Sequence, residues 1–400
     1  MSRTLRTILF GMMAMLLLFG HRGLARADEK EARFVLAWGK KGEKPGEFFS
    51  PISIAIDRKD VVYVTDLNNA RLQRFTTEGE YLGGFNLPLD SPPRMTCLVG
   101  GMAVDDNDNI YLSLMIQDKV QVYSESGLLL REWGKRGAED GDLRQPGGIV
   151  LAPGGTVYVA DQGNHRVQIF DDEGKFRGKW GEHGSGPGQF GGNEPKGSRF
   201  GGPHFLARDS IGRIYTTEGT VGRVQLFEEE GKPLHAWGDK GDQRGGFGAL
   251  KTGFSKQTFG PIGVFVDRQD RVWVSSLNDR VQAFTADGKF LLGLGGTGSN
   301  PGQFARPHGM AVDSKGHLYV ADAGNQRVQK FAIPELRPHR PREVPPLSFA
   351  GAKEWDRTSA SHEQLERIAL FREDHKDDAW DFSSTTTRPA APTLRLKVMR

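Results

Sequence analysis

Between residues 33 and 333 the apolar positions fall in short runs, and the runs are separated by Gly, Pro, Asn and Asp. No stretch there keeps the 3.6-residue period of a helix, so the pattern predicts strands joined by tight turns. One unit shows the plan. Residues 148–152 read as an apolar strand, Pro153-Gly-Gly as a turn and 156–160 as a second strand. Asp161-Gln-Gly-Asn-His165 is a turn rich in residues that tolerate left-handed backbone. A third strand over 166–170, a turn at Asp172-Glu-Gly174 and a fourth strand over 176–180 complete the unit. The third strand recurs six times as a basic residue, an aliphatic, glutamine, a variable residue and an aromatic. It begins at Arg71, Lys119, Arg166, Arg223, Arg280 and Arg327, with spacings of 48, 47, 57, 57 and 47. A period in this range marks an array of equal units, and four short antiparallel strands per unit make a propeller blade. The expected fold is all-β: a six-bladed β-propeller of four-stranded antiparallel blades.

The aromatic positions fix the register. Strand two carries Tyr63, Tyr111, Tyr158, Tyr215, Trp273 and Tyr319 at one position, and strand four ends in Trp-Gly at Trp133, Trp180 and Trp237. These rings are expected to fill the space between neighbouring blades. The sixth unit stops after its third strand at Phe331, and residues 33–39 read as a fourth strand with no first three. The N-terminal strand is therefore expected to close the ring and hide both sheet edges. Asp66, Asp161 and Asp322 precede Arg71, Arg166 and Arg327 by five residues across a tight turn. A charge beside a packed sheet needs a partner, so these are expected to be structural ion pairs. Blades two and five carry Leu114 and Ser276 in place of the aspartate.

The pattern Pro-x-Gly-[Ile/Met]-Ala-Val-Asp, Tyr-Val-Ala-Asp, Gly-Asn-x-Arg-Val-Gln-x-Phe resembles the NHL repeat over residues 33–333, most closely in blades three and six. That resemblance implies a six-bladed propeller, in agreement with the count from the repeat. A more distant resemblance is to the peptidyl-hydroxyglycine lyases, in which histidines from alternate blades meet at a catalytic metal on the axis. Pro203-His204 and Pro307-His308 match that Pro-His motif, and blade two has Gly100 at the third position. Cys97 is close by but out of register. The resemblance thus nominates His204 and His308 as ligands of zinc or another divalent metal, with a metal-dependent lyase or hydrolase as the alternative activity. The favoured expectation is a binding module that needs no cofactor.

Charge and export narrow the partners. Lys and Arg number 53 against 50 Asp and Glu, and four of the positive charges (Arg3, Arg6, Arg22, Arg26) precede a signal-peptidase pattern at Ala25-Arg26-Ala27. Cleavage after Ala27 takes the net charge of +3 to −1, which argues against nucleic acid. The expected organisation is a signal peptide over 1–27, the propeller over 28–333, and a linker with a mostly disordered tail over 334–400. The linker is dense in proline and basic residues, and 362–371 has the spacing of a short amphipathic helix. The chain is expected to be periplasmic or secreted, with membrane attachment only if the leader is retained. The single cysteine, Cys97, excludes an intrachain disulfide.

The two 57-residue spacings come from long connections over 181–202 and 238–260. Long insertions on a rigid scaffold are where binding usually lives. Phe190, Arg199, Phe200, Arg244, Phe247, Phe254 and Lys256 interleave aromatic and basic character there, as expected for a surface that grips a protein, peptide or glycan. Other motifs are set aside. Gly184-Ser-Gly-Pro-Gly188 and Gly295-Gly-Thr-Gly298 lead into strands, whereas a phosphate loop must open a helix. Asp105-Asp-Asn-Asp-Asn109 lacks the glycine and late glutamate of a calcium loop.

Overall fold

The computed structural model describes residues 31–87, 99–192, 201–248, 260–334, 379–381 and 397–399. Six four-stranded antiparallel sheets occupy 33–332. Blade three is the expected unit with its first strand extended: Pro146–Ala152, Thr156–Asp161, Arg166–Phe170 and Phe176–Trp180. The ring closes as the sequence predicts. Arg33–Trp38 pairs antiparallel with Arg327–Ala332, which pairs with His317–Asp322 and then Pro307–Val312. In a second unit, covering 339–400, Ala379–Asp381 pairs antiparallel with Lys397–Met399. The leader over 1–27, the 334–346 linker after Pro334 and the segment 362–371 lie outside the described residues. Among the described residues no helix is long and apolar enough to cross a membrane.

Each blade buries both faces against its neighbours, which is why the strand-two aromatic is fully enclosed: Tyr63, Tyr215, Trp273 and Tyr319 are all 0% exposed. A buried hydroxyl or indole N–H needs an acceptor. Tyr63, Tyr215 and Tyr319 donate to Asp57, Asp209 and Asp313, and Trp273 Nε1 to Asp267, at 2.7–3.1 Å. Burial, reinforced by the adjacent carboxylate, pushes the hydroxyls of Tyr63, Tyr215 and Tyr319 well up, so they stay protonated donors. The strand-four tryptophan lies at the seam. The ideal Cβ position at Gly174 falls 2.5 Å from the Trp133 ring, and Gly174 has φ +81°, so only glycine lets blade three's last turn sit on blade two's tryptophan.

Candidate functional site

The repeated signature is fully engaged in building the blade. Arg166 Nε donates to Asp161 at 2.7 Å, and its terminal nitrogens donate to the carbonyls of Ala138, Glu139 and Asp142. Gln168 donates to Asp142 O and accepts from Gly141 N. Asp161 also accepts from Arg144 N and Asn164. Arginine, glutamine and aspartate together therefore clamp the connection that enters the blade from its neighbour. The same set recurs in blade one around Asp66, Arg71 and Gln73, and in blade six around Asp322, Arg327 and Gln329. Burial pushes the Asp161 carboxyl up, and the donors from Asn164, Arg144 and Arg166 oppose that shift. With Asp161 0% and Arg166 8% exposed, removing either partner is worth about 3–5 kcal/mol, as for other broken buried pairs.

Blade four uses Glu218 in the aspartate position. It holds Arg223 at 2.6 Å and accepts from Gly191 N at 3.2 Å. Blade two has no carboxylate there, and Lys119 pairs instead with Glu132 at 3.0 Å. Blade five has Ser276, and Arg280 keeps a single hydrogen bond among the described residues, to Asp242 O at 2.5 Å.

The connections contain an element that the sequence reading missed. Ten residues after the last apolar residue of the outer strand, an apolar side chain folds back under it: Phe48 after Trp38, Leu143 after Trp133, Phe190 after Trp180, Phe247 after Trp237 and Phe304 after Leu294. All five are 0% exposed. The glycine that follows each of those last apolar residues is the space the five need. A Cβ at Gly181 or Gly238 would stand 2.5 or 2.2 Å from the Phe190 or Phe247 ring. Phe190 packs on Trp180 and Phe227, and Phe247 on Phe284. Phe190 and Phe247 are thus corrected from surface contacts to core plugs between blades. The sequence signal was the constant ten-residue spacing.

Of the other nominated contact residues, Arg244 is exposed and stacks over Phe290, 6.0 Å from the ring centroid. Arg199, Phe200, Phe254 and Lys256 lie outside the described residues. The insertions themselves start after the plug. Blades one, three and six reach their first-strand proline three residues after Phe48, Leu143 and Phe304. Blades four and five take thirteen and fourteen, from Phe190 to Pro203 and from Phe247 to Pro261. In sequence the extra residues come directly before Pro203 and Pro261. Their ends are pinned: Gly201 O contacts His165 Nδ1 at 3.0 Å, and Gly260 N donates to Gly219 O at 2.8 Å.

His204 precedes the first strand of blade four and His308 lies in the first strand of blade six, with the first strand of blade five between them. His204 is 4% exposed; its ring covers Gly219, where a Cβ would fall 2.9 Å from Cε1. His308 is half-buried. Its Nδ1 lies 2.9 Å from Arg306 O, an acceptor only, so Nδ1 carries the proton of the neutral ring. Burial holds its pKa down to about 4, the bond to Arg306 O opposing. The third position does not fit the histidine arrangement that the lyase resemblance implies. At Gly100 a Cβ would stand 2.3 Å from Pro146 O, so the approach of blades two and three leaves no room for a side chain. Among the described residues no three His, Cys, Asp or Glu side chains gather at ligand distance; Cys97 is not among them.

Two stretches of this propeller are similar to the NHL repeat. The NHL repeat family model matches residues 143–170 and 304–331, each running from a plug to the end of strand three. Over 152 residues the chain is 31% identical to NHL repeat-containing protein 3 of Mus musculus, covering 34% of this chain and 41% of that one. Over 75 residues it is 32% identical to the Homo sapiens protein of the same name, covering 18% of this chain and 22% of that one. It thus spans less than half the length of the curated relatives it matches. Among solved structures, a Bacteroides thetaiotaomicron protein of unknown function superposes with a TM-score of 0.54 at 16% identity, covering 76% of both chains. A streptogramin B lyase superposes at 0.50 with 15% identity, covering 76% of this chain and 99% of that one. At these identities the likeness shows the propeller fold alone.

Proposed function

We propose that this propeller is an exported binding platform that engages a protein partner, and more narrowly a peptide or glycan displayed by it, through the face carrying the two insertions. The observation that supports this reading is where the blades of this chain differ from one another. The repeated Arg, Gln, Asp and aromatic residues are engaged in holding blades together, whereas about ten extra residues enter blades four and five after an otherwise constant connection. Arg199, Phe200, Phe254 and Lys256 lie in these insertions, and Arg244 lies just before the second. Propeller folds host many functions on such loops, which favours a binding role without naming the ligand. The near-zero charge of the processed chain disfavours nucleic acid. The test is built from the protein's own pattern. Shortening 191–202 and 248–260 to the three-residue spacing of blades one, three and six should keep the melting temperature and abolish partner capture from the exported fraction. Unchanged capture by a folded variant would overturn the reading.

A second reading, a metal-dependent lyase or hydrolase at the channel mouth, is favoured by one observation: His308 is held neutral, the state in which imidazole ligates metal. The missing third ligand at Gly100 weighs against it. Zinc or another divalent metal at near one per chain, lost in His204→Ala/His308→Ala, would support it; metal absent from both proteins would remove it.

A further inference from the structure

Blade five breaks the repeat at one position, and the break faces a groove. The groove has a volume of about 590 Å³ and runs along the outer strand Phe290–Gly295, with the start of the ring-closing strand opposite. Phe34, Phe290, Leu292 and Phe331 give it apolar walls, and Arg280 and Arg244 line it together. Phe34 is 38% exposed, a large ring left open beside the groove. In blades one, three, four and six a buried carboxylate holds the equivalent arginine. Here that carboxylate is Ser276, whose hydroxyl is spent on Asn278. Among the described residues the Arg280 side chain therefore keeps only the carbonyl of Asp242, and Arg244 lies over the Phe290 ring, 6.0 Å from its centroid. Asp242 and Glu31 also line the groove, but among the described residues neither forms an ion pair with either arginine.

We propose that this groove is a binding site for an amphiphilic monocarboxylate, with Arg280 and Arg244 receiving the carboxylate and the apolar walls receiving an aryl or acyl body. A guanidinium presents parallel N–H donors that match a carboxylate, and the loss of the repeat's own carboxylate leaves those donors facing the groove. The volume is in the range that admits a small ligand, which would lie along an open groove. Asp242 and Glu31 balance the two arginines, so the groove carries no net positive charge; this disfavours a polyanion such as a triphosphate and leaves recognition of a single carboxylate to the guanidinium hydrogen-bond donors. The site is separate from the proposed loop-face partner and shares with it only Arg244, so either can fail alone.

The test is isothermal titration of the intact protein with 4-phenylbutyrate and with its neutral amide. Wild type should bind the acid at least tenfold more tightly than the amide. Arg280→Gln should lose that preference. Ser276→Asp rebuilds the carboxylate that the other blades use; it should fold with an equal or higher melting temperature and also lose the preference. Equal binding of acid and amide, no binding of either, or undiminished acid binding by folded Ser276→Asp would each overturn the proposal.

Discussion

A single imidazole in this ring carries a pH signature. Free histidine titrates near 6.5, and burial holds His308 down to about 4. Between those values the unfolded chain binds a proton that the folded chain refuses. Stability therefore rises with pH across that window and is lost as pH falls through it, by up to about 1.4 kcal/mol per pH unit. His308 remains half-exposed, so the measured slope should lie below that limit. In metal-free protein, His308→Gln should flatten the stability profile between pH 4 and 6.5 and leave it unchanged above pH 7. Urea titrations across that range report the slope directly, and parallel profiles for the two proteins would mean that the folded ring titrates normally. His204 sits at the matching position of blade four, but it is closed over Gly219. The two histidines that look equivalent in sequence therefore differ in accessibility.

At the scale of the element, the ten-residue connection decides how the sequence should be read. Phe190 and Phe247 lie among glycines and charged residues, so composition reads them as exposed, whereas both are sealed against neighbouring rings. Phe190→Ala or Phe247→Ala should each cost about 3–5 kcal/mol, the range for a buried aromatic replaced by alanine. Arg244→Ala, on the surface of the same connection, should change stability by less than about 1 kcal/mol. Chemical denaturation of the three variants separates a plug from a contact residue; a cost below about 1 kcal/mol at Phe190 would return it to the surface. The strands were legible because short apolar runs bounded by turn residues and the Arg-Val-Gln signature recur with little variation. The plug was not, because it is a single apolar residue in irregular backbone and only its distance from the outer strand repeats. Glu218 was hidden for a related reason. It does the work of Asp161 with one more methylene, which the aspartate pattern does not reveal. The groove was not legible in the sequence, since Arg280 and Phe34, which line it, lie about 250 residues apart in the chain.

For the whole molecule, stability depends on one seam. Among the described residues, Arg33–Trp38 is the only outer strand that does not follow its blade in sequence. Trp38 packs on Tyr319 of blade six and on Phe75 of blade one, and the turn at Gly79 rests on its ring. The junction is reinforced where Lys330, 3% exposed, donates to Thr77 O and Glu78, and where Ser314 donates to Asp60. Removing residues 31–39 takes away a tryptophan anchor and leaves the Arg327–Ala332 strand as a bare edge. Bare edges pair with other chains. The truncated protein should melt at least about 10 °C lower and self-associate with concentration. Lys330→Met, which removes the seam hydrogen bonds, the ion pair with Glu78 and the cation over Tyr319 but keeps the closing strand, should lower the melting temperature by a smaller step and leave the association state as in wild type. Calorimetry with light scattering reads both quantities. A monomeric truncation with an unchanged transition would show that the ring holds without its closing strand. The opposite result would show that the ring's stability rests on pairing between strands almost 300 positions apart, because among the described residues only Arg33–Trp38 covers the edge of Arg327–Ala332.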